Sequence, residues 1–142
     1  MASSSRKSNK KMPTFVILLG PTGDIKKIPF NEKKSLEILQ NLVDGYITTL
    51  KPKSYLSSQI ILPATKRKSF RWFCFCNDEG LLNGMIPNIY SKVEHYETHS
   101  MPMIFGPIVL TQQNSKGDTM GITQSEIDSL EIDVFKSIQT PK

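Results

Sequence analysis

Short apolar runs, separated by polar segments that contain turn residues, recur along the chain and predict several β-strands. Some segments are rich in β-branched, aromatic and aliphatic residues, which is typical of buried strands. Such segments lie at positions 14–19, 70–76 and 103–111. Shorter stretches bounded by turn residues predict further strands at 25–30, 46–50 and 57–62.

Two other segments carry the apolar spacing and the end signals of helices. Asn31 has the character of an N-cap, apolar residues follow it at helical spacing, and Gly45 is expected to end this first helix. Thr123 and Glu126 form a capping-box pattern, and an apolar stripe continues from there, so a C-terminal helix is expected over 123–138. The predicted fold class is therefore α+β: a small mixed or antiparallel sheet, with one helix after the first hairpin and a C-terminal helix.

The connections are predicted from their turn residues. The 20–24 segment has the spacing of a phosphate-binding loop, but it lacks the Lys-Ser/Thr pair and the following helix, so a hairpin turn is favoured. The 77–80 segment is a turn in which Gly80 is expected to have a positive φ. We expect a loop and then one or two helical turns at 81–93, and a polar loop at 112–121.

Length and charge favour one domain preceded by a short basic segment. The chain has 142 residues, which suits a single domain over 13–142, with a Ser- and Lys-rich disordered arm over 1–12. Four of the 18 basic residues and none of the 13 acidic ones lie in the first eleven positions, which leaves 14 basic residues against 13 acidic ones. The apolar run at 15–19 is too short for a secretory signal or a membrane span.

The residues that most often bind metals or catalyse reactions are few. Cys74 and Cys76 lie on one face of a predicted strand, and no second pair completes a zinc site, so they are expected to be buried core residues. Two free thiols indicate a reducing compartment, so we expect an intracellular protein that is not secreted. His95 and His99 are four residues apart, but Glu97 does not match the metalloprotease motif. We therefore expect no metal, no cofactor and no enzyme activity.

Basic residues form two candidate contacts for nucleic acid. One cluster surrounds Phe70 and Trp72, and alternating cations and aromatic rings are typical of proteins that bind single strands. The alternative is a solvated loop followed by a strand whose aromatic residues belong to the core. The candidate residues are Arg6, Lys7, Lys10 and Lys11 in the arm, and Lys66, Arg67, Lys68 and Arg71.

Four runs of sequence resemble a family of small domains of unknown function found in phage, plasmid and large-DNA-virus proteins. They are LEILQNLVDGYI (36–47), CNDEGLLNG (76–84), PN (87–88) and IFGPIV (104–109), and the resemblance covers roughly 14–111. Asp44 stands where the family has Gly, the PN step lacks a spacer, and the 51–68 segment is longer. The family transfers no catalytic residue.

The resemblance implies a non-enzymatic accessory or structural protein of a virus or mobile element. Such a protein would act through a protein partner, as a virion component or a host-interaction factor, in the host cytoplasm, the nucleus or the virion. The alternative is a nucleic-acid-binding protein that uses the arm and the Lys66–Arg71 segment.

Overall fold

The computed structural model describes residues 13–58, 60–95, 97–98 and 100–132, which fold as helices packed on antiparallel strands. The strands are β1 (Thr14–Leu19), β2 (Ile25–Pro29), β3 (Ile47–Leu50), β4 (Ile60–Ile61), β5 (Arg71–Asn77), β6 (Val93–His95), β7 (Ser100–Pro102), β8 (Ile108–Gln113), β9 (Thr119–Met120), β10 (Ile122–Thr123) and β11 (Glu131–Ile132). The helices are a 3₁₀ turn (Glu32–Lys34), α1 (Ser35–Val43), α2 (Pro52–Tyr55) and α3 (Gln124–Asp128). The α+β fold class is confirmed. Across these residues, no helix is long and apolar enough to cross a membrane.

The main sheet has seven strands, and all of its pairings are antiparallel. β1 forms a hairpin with β2, and on its other edge Ile17–Leu19 pair with the start of β8. β8 pairs with β5 along its length, and β5 pairs with β3. β9 pairs with the end of β8, and β10 pairs with the start of β1. The segment 119–123 therefore links the two central strands.

Successive side chains of a strand point to opposite faces of a sheet. Both faces of this sheet are covered, so the strands contribute to two separate buried clusters. On one face, Val16 and Val109 pack with Leu39 and Val43 of α1. The opposite face carries the other set of alternating residues, and it packs against side chains from the connections after β3 and β5. The buried members of that second cluster are Ile17, Leu19, Leu50, Leu56, Ile60, Cys74, Cys76, Tyr90, Ile104, Ile108, Leu110 and Ile122.

The helix after the first hairpin follows Asn31 and stops before Gly45, as predicted. Asn31 caps the 3₁₀ turn, with its side chain accepting a hydrogen bond from the Lys33 amide at 3.0 Å. The residue that has the left-handed conformation at the end of α1 is the C-cap Asp44, with φ 59°. The buried Asn77 amide donates to the carbonyl oxygens of Val43 (2.9 Å) and Asp44, so it binds carbonyl groups that the helix end leaves free.

The prediction that Gly80 has a positive φ is wrong, because Gly80 is not among the residues with that conformation. The reason for glycine here is close packing. A Cβ atom at this position would overlap the carbonyl oxygen of Phe105 and would lie 3.1 Å from its carbonyl carbon. Since both contacts are with backbone atoms, they cannot be relieved by rotating a side chain.

The helical turns predicted within 81–93 are also absent; the segment consists of turns and isolated bridges before β6. It is held by Asn88, whose buried amide donates to the carbonyl oxygens of Leu19 (3.0 Å) and Gly106 (2.8 Å). The side-chain oxygen of Asn88 accepts from the backbone amide of Tyr90 at 2.8 Å. In a helix, the backbone N–H and C=O groups pair with one another. Here the Asn88 side chain pairs with such groups instead and so holds the irregular segment in place.

The last predicted helix is much shorter than its apolar stripe indicated. The Thr123–Glu126 capping box is present, but the helix ends at Asp128. Glu131–Ile132 then pair with β4, and residues 133–138 lie outside the described part of the chain. A strand partner for the following residues therefore replaces the extra helical turns.

Three other boundaries moved for similar reasons. Of the described residues in the predicted 57–62 strand, Ile60–Ile61 form a strand, and β11 supplies its partner. The 103–111 strand begins at Ile108, after Gly106 with φ 95°, and runs on to Gln113. The predicted 112–121 loop contains the end of β8 and the short strand β9, which pair with each other.

Candidate functional site

A groove of about 1110 Å³ opens beside β5 and α2. One side is made by α2 and the residues around it, and the other by the connection that follows β4. The end of β5 forms part of the lining. The lining residues are Lys51, Pro52, Lys53, Ser54, Leu56, Ser57, Ser58, Ile60, Leu62, Pro63, Ala64, Thr65, Phe70, Arg71, Trp72, Phe73 and Lys92.

The shape of this groove follows from where β3 ends. Pro52 lacks an amide hydrogen and begins the short helix α2, so the chain turns away after Leu50. β3 covers β5 only from Cys74 to Asn77. Arg71–Phe73 continue past it with a strand neighbour, β8, on one side only. In the described part of the chain, this is an open sheet edge inside the groove.

Among the residues that the structure describes, the charged ones that line the groove are all basic: Lys51, Lys53, Arg71 and Lys92. The first two flank Pro52 at the start of α2, and both are exposed. The Arg71 guanidinium donates to the Gln113 side-chain oxygen, with Nε at 2.8 Å. The Lys92 ammonium donates to the carbonyl oxygen of Lys53, which holds these two basic residues together. The groove therefore presents positive charge around apolar residues.

The predicted basic cluster is divided among different roles. Arg71 lines the groove, and Lys66 and Lys68 are exposed on the loop before it. Arg67 points inward: its Nη2 donates to the Gln112 side chain at 2.8 Å and to the Gly121 carbonyl at 2.6 Å. The arm residues Arg6, Lys7, Lys10 and Lys11 lie outside the described residues.

Arg67 belongs to a buried polar cluster centred on Glu126, whose side chain is fully buried. The Glu126 carboxylate accepts from Arg67 Nη2 at 3.4 Å, from the Lys66 amide at 3.0 Å and from Gln112 Nε2 at 3.1 Å. It also accepts from the amide (3.2 Å) and hydroxyl (2.9 Å) of Thr123. Burial acts to raise the pKa of Glu126, but the hydrogen bonds from the Lys66 amide, Gln112 and Thr123 outweigh it and lower the pKa.

The two aromatic residues near the basic cluster already have protein neighbours. The Arg67 guanidinium carbon lies 4.2 Å from the centre of the Phe70 ring. The Trp72 indole nitrogen donates to the Pro63 carbonyl at 2.6 Å, and the ring packs against the core. Both residues are half-buried, so they contribute apolar surface to the groove but offer a smaller area for stacking than free rings do.

Sequence reasoning missed Lys51, Lys53 and Lys92 as site residues. The 51–53 segment matches no ligand-binding motif, and Lys92 lies 39 positions after Lys53. The available signal was the pair of lysines that flank Pro52. It predicts an exposed basic turn, but only the fold places that turn beside Arg71.

The cysteines and histidines do not meet. Cys74 and Cys76 are buried free thiols, and burial raises the pKa of both; the nearby Asp78 carboxylate helps to raise that of Cys76 to about 11. His95 is exposed, with Nδ1 2.8 Å from the Ser100 hydroxyl, and His99 lies outside the described residues. Among the residues described, no group of three or more His, Cys, Asp or Glu side chains could hold a metal ion.

A family model for a domain of unknown function, DUF3846, matches residues 65–135, which is half of the chain. The match begins in the loop that carries Arg67, and it includes β5, β8 and the Glu126 cluster. It extends beyond the 14–111 range of the sequence resemblance at its C-terminal end and excludes the first hairpin and α1. No curated protein and no solved structure matches the chain.

Proposed function

The chain belongs to the DUF3846 family of domains of unknown function, and we propose that it is a non-enzymatic protein that acts by binding another protein in the basic groove. In this proposal it is an accessory or structural protein of a virus or mobile element, as the resemblance of the 36–47 and 76–88 runs implies.

One observation carries the proposal: an apolar groove, an open sheet edge and four basic side chains occur at the same place. Apolar grooves with a few polar groups bind ligands because they remove apolar surface from water while the polar groups set orientation. An open sheet edge adds backbone donors and acceptors, which a protein partner is able to pair.

Selection from a library of random displayed peptides tests this proposal on the full chain. The groove variant is Lys51→Glu with Lys53→Glu, and the control is Lys26→Glu with Lys34→Glu, which makes the same change in charge outside the groove. All four lysines are exposed. We expect enriched peptides that bind the wild type and the control but not the groove variant. Failure to enrich any peptide, or equal binding to all three proteins, would contradict the proposal.

Nucleic-acid binding is the second candidate, and the basic rim of the groove favours it. Its binding would be electrostatic, and it would weaken steeply with salt as counterions are released. A fluorescent single-stranded poly-dT oligonucleotide provides the test. Binding that is lost in the Lys66→Ser, Lys68→Ser and Arg71→Ser triple variant supports this candidate, and absence of binding at low salt counts against it.

A further inference from the structure

We infer that the groove takes an acidic peptide in extended form, which pairs with the open edge of β5 as an added strand. This inference rests on the proposed function and deepens it, because it specifies the chemistry and the conformation of the partner. The required ligand is a segment in which acidic residues alternate with apolar ones.

The extended conformation follows from the sheet edge. Within the described residues, β5 is paired on both sides from Cys74 to Cys76, and only on the β8 side at Arg71–Phe73. A peptide strand that joins this edge pairs its backbone with the free side, and its alternate side chains then point to opposite faces. Apolar side chains on one set of positions would contact Leu56, Leu62 and the other apolar lining residues of the groove.

The acidic character follows from charge complementarity. Lys51, Lys53, Arg71 and Lys92 supply four positive charges, and the described lining residues include no Asp or Glu. Carboxylates on the second set of alternating positions would pair with these side chains at the rim, where water screens them and where they set specificity more than affinity.

The chain itself contains such a segment next to the groove. β11 follows Leu130 with Glu131 and Ile132, an apolar–acidic–apolar sequence, and its backbone pairs with β4. Ile60 of β4 lines the groove. Strand addition by an acidic and apolar segment is therefore a mode of pairing that this part of the fold already uses.

The observations favour a peptide over a nucleic-acid strand. Single-stranded nucleic acid is bound by exposed aromatic rings together with phosphate contacts. Here Arg67 lies over Phe70, and Trp72 is packed against the core with its indole nitrogen bonded to Pro63. Unpaired strand backbone, in contrast, complements a peptide.

Fluorescence anisotropy with a fluorescein-labelled peptide of alternating Glu and Val tests the inference. We expect binding to the wild type and to the Lys26→Glu/Lys34→Glu control. Reversing the charges of Lys51 and Lys53 should weaken it about tenfold or more, since two attractive pairs become repulsive. A glutamate near the start of α2 is compatible with the helix dipole, so the variant should fold, and circular dichroism checks that it does.

Two N-methylated versions of the peptide test strand addition directly, because each removes every second amide hydrogen. One version should bind roughly tenfold more weakly, and the other much as the unmodified peptide does, since only alternate amides face the edge. Equal effects of the two versions, unchanged affinity in the Lys51/Lys53 variant, or no binding of the acidic peptide would each overturn the inference.

The peptide selection and the poly-dT test together separate this inference from the function on which it rests. If peptides selected by display bind the groove but are basic or helical, the inference fails and the proposed function stands. If poly-dT binds and no peptide does, both fail in favour of nucleic acid.

Discussion

Replacing Glu126 by alanine tests whether the buried polar cluster around this residue stabilises the segment 65–135, which the family model matches. The change removes the acceptor for five donor groups: the Lys66 amide, Gln112 Nε2, Arg67 Nη2 and the amide and hydroxyl of Thr123. Loss of the Glu126 half of the capping box, which leaves the Thr123 cap in place, costs about 0.3–1.5 kcal/mol. A buried donor without a partner costs about 1–3 kcal/mol. Arg67 is partly exposed, so water offsets part of its loss.

The total expected loss is about 3–5 kcal/mol in the free energy of unfolding, a large part of the roughly 5–15 kcal/mol that stabilises a typical domain. Urea denaturation monitored by circular dichroism measures it. Glu37→Ala is the matched control, because Glu37 is an exposed residue of α1, and it should change stability by less than about 0.5 kcal/mol. A loss below about 1 kcal/mol for Glu126→Ala would refute the reasoning.

The same cluster should make stability depend on pH. The hydrogen bonds lower the pKa of Glu126 in the folded state despite burial, so its contribution is fully present above the unfolded pKa. The contribution is lost as the pH falls through the folded pKa. The stability difference between the wild type and Glu126→Gln should therefore be largest at neutral pH and shrink in acid. A difference that stays constant with pH would contradict this assignment.

Two further predictions concern close packing and thiol chemistry. Gly80→Ala should lower the free energy of unfolding by about 1–3 kcal/mol, because its methyl group would overlap the Phe105 carbonyl; a Gly80→Ala protein with wild-type stability would contradict this. Gly84 has φ 71° and open space around it, so Gly84→Ala should cost only about 1 kcal/mol, the price of the left-handed conformation. Cys74 and Cys76 should react slowly with a disulfide reagent in the native protein, because burial raises the pKa of both thiols, and rapidly in urea. Equal rates in the two conditions would show that the thiols are accessible.

The sequence predicted the elements whose signals are local. The strand at 14–19 and the Thr123–Glu126 capping box have their information within a few residues, and the structure confirms both. The end of the last helix could not be predicted, because β4 lies about 70 positions earlier and the pairing with Glu131–Ile132 is non-local. Gly80 shows a similar limit, since its neighbour Phe105 is distant in sequence.

The candidate site was predictable only in part. Arg71 was identified from its cluster of basic and aromatic neighbours, and it lines the groove. Arg67 has the same local sequence signal, but its partner Glu126 is 59 positions away, so its burial could not be foreseen. Lys51 and Lys53 lie in the same groove as Arg71 because β3 ends at Leu50 and the chain turns there. The sequence alone does not specify which strand β3 pairs with, so this placement could not be predicted.

The segment 119–123, which links β8 to β1, affects how the protein can form during synthesis. Ile17 pairs with Leu110, so the first strand meets its inner neighbour only after 93 further residues have been added. At about 5–20 residues per second, this delay is roughly 5–20 seconds. During that time the hairpin of β1 and β2 has an uncovered inner edge, and such long-range pairing is slow to form. Nascent chains that end before position 123 should therefore be the species most prone to aggregate or to engage chaperones.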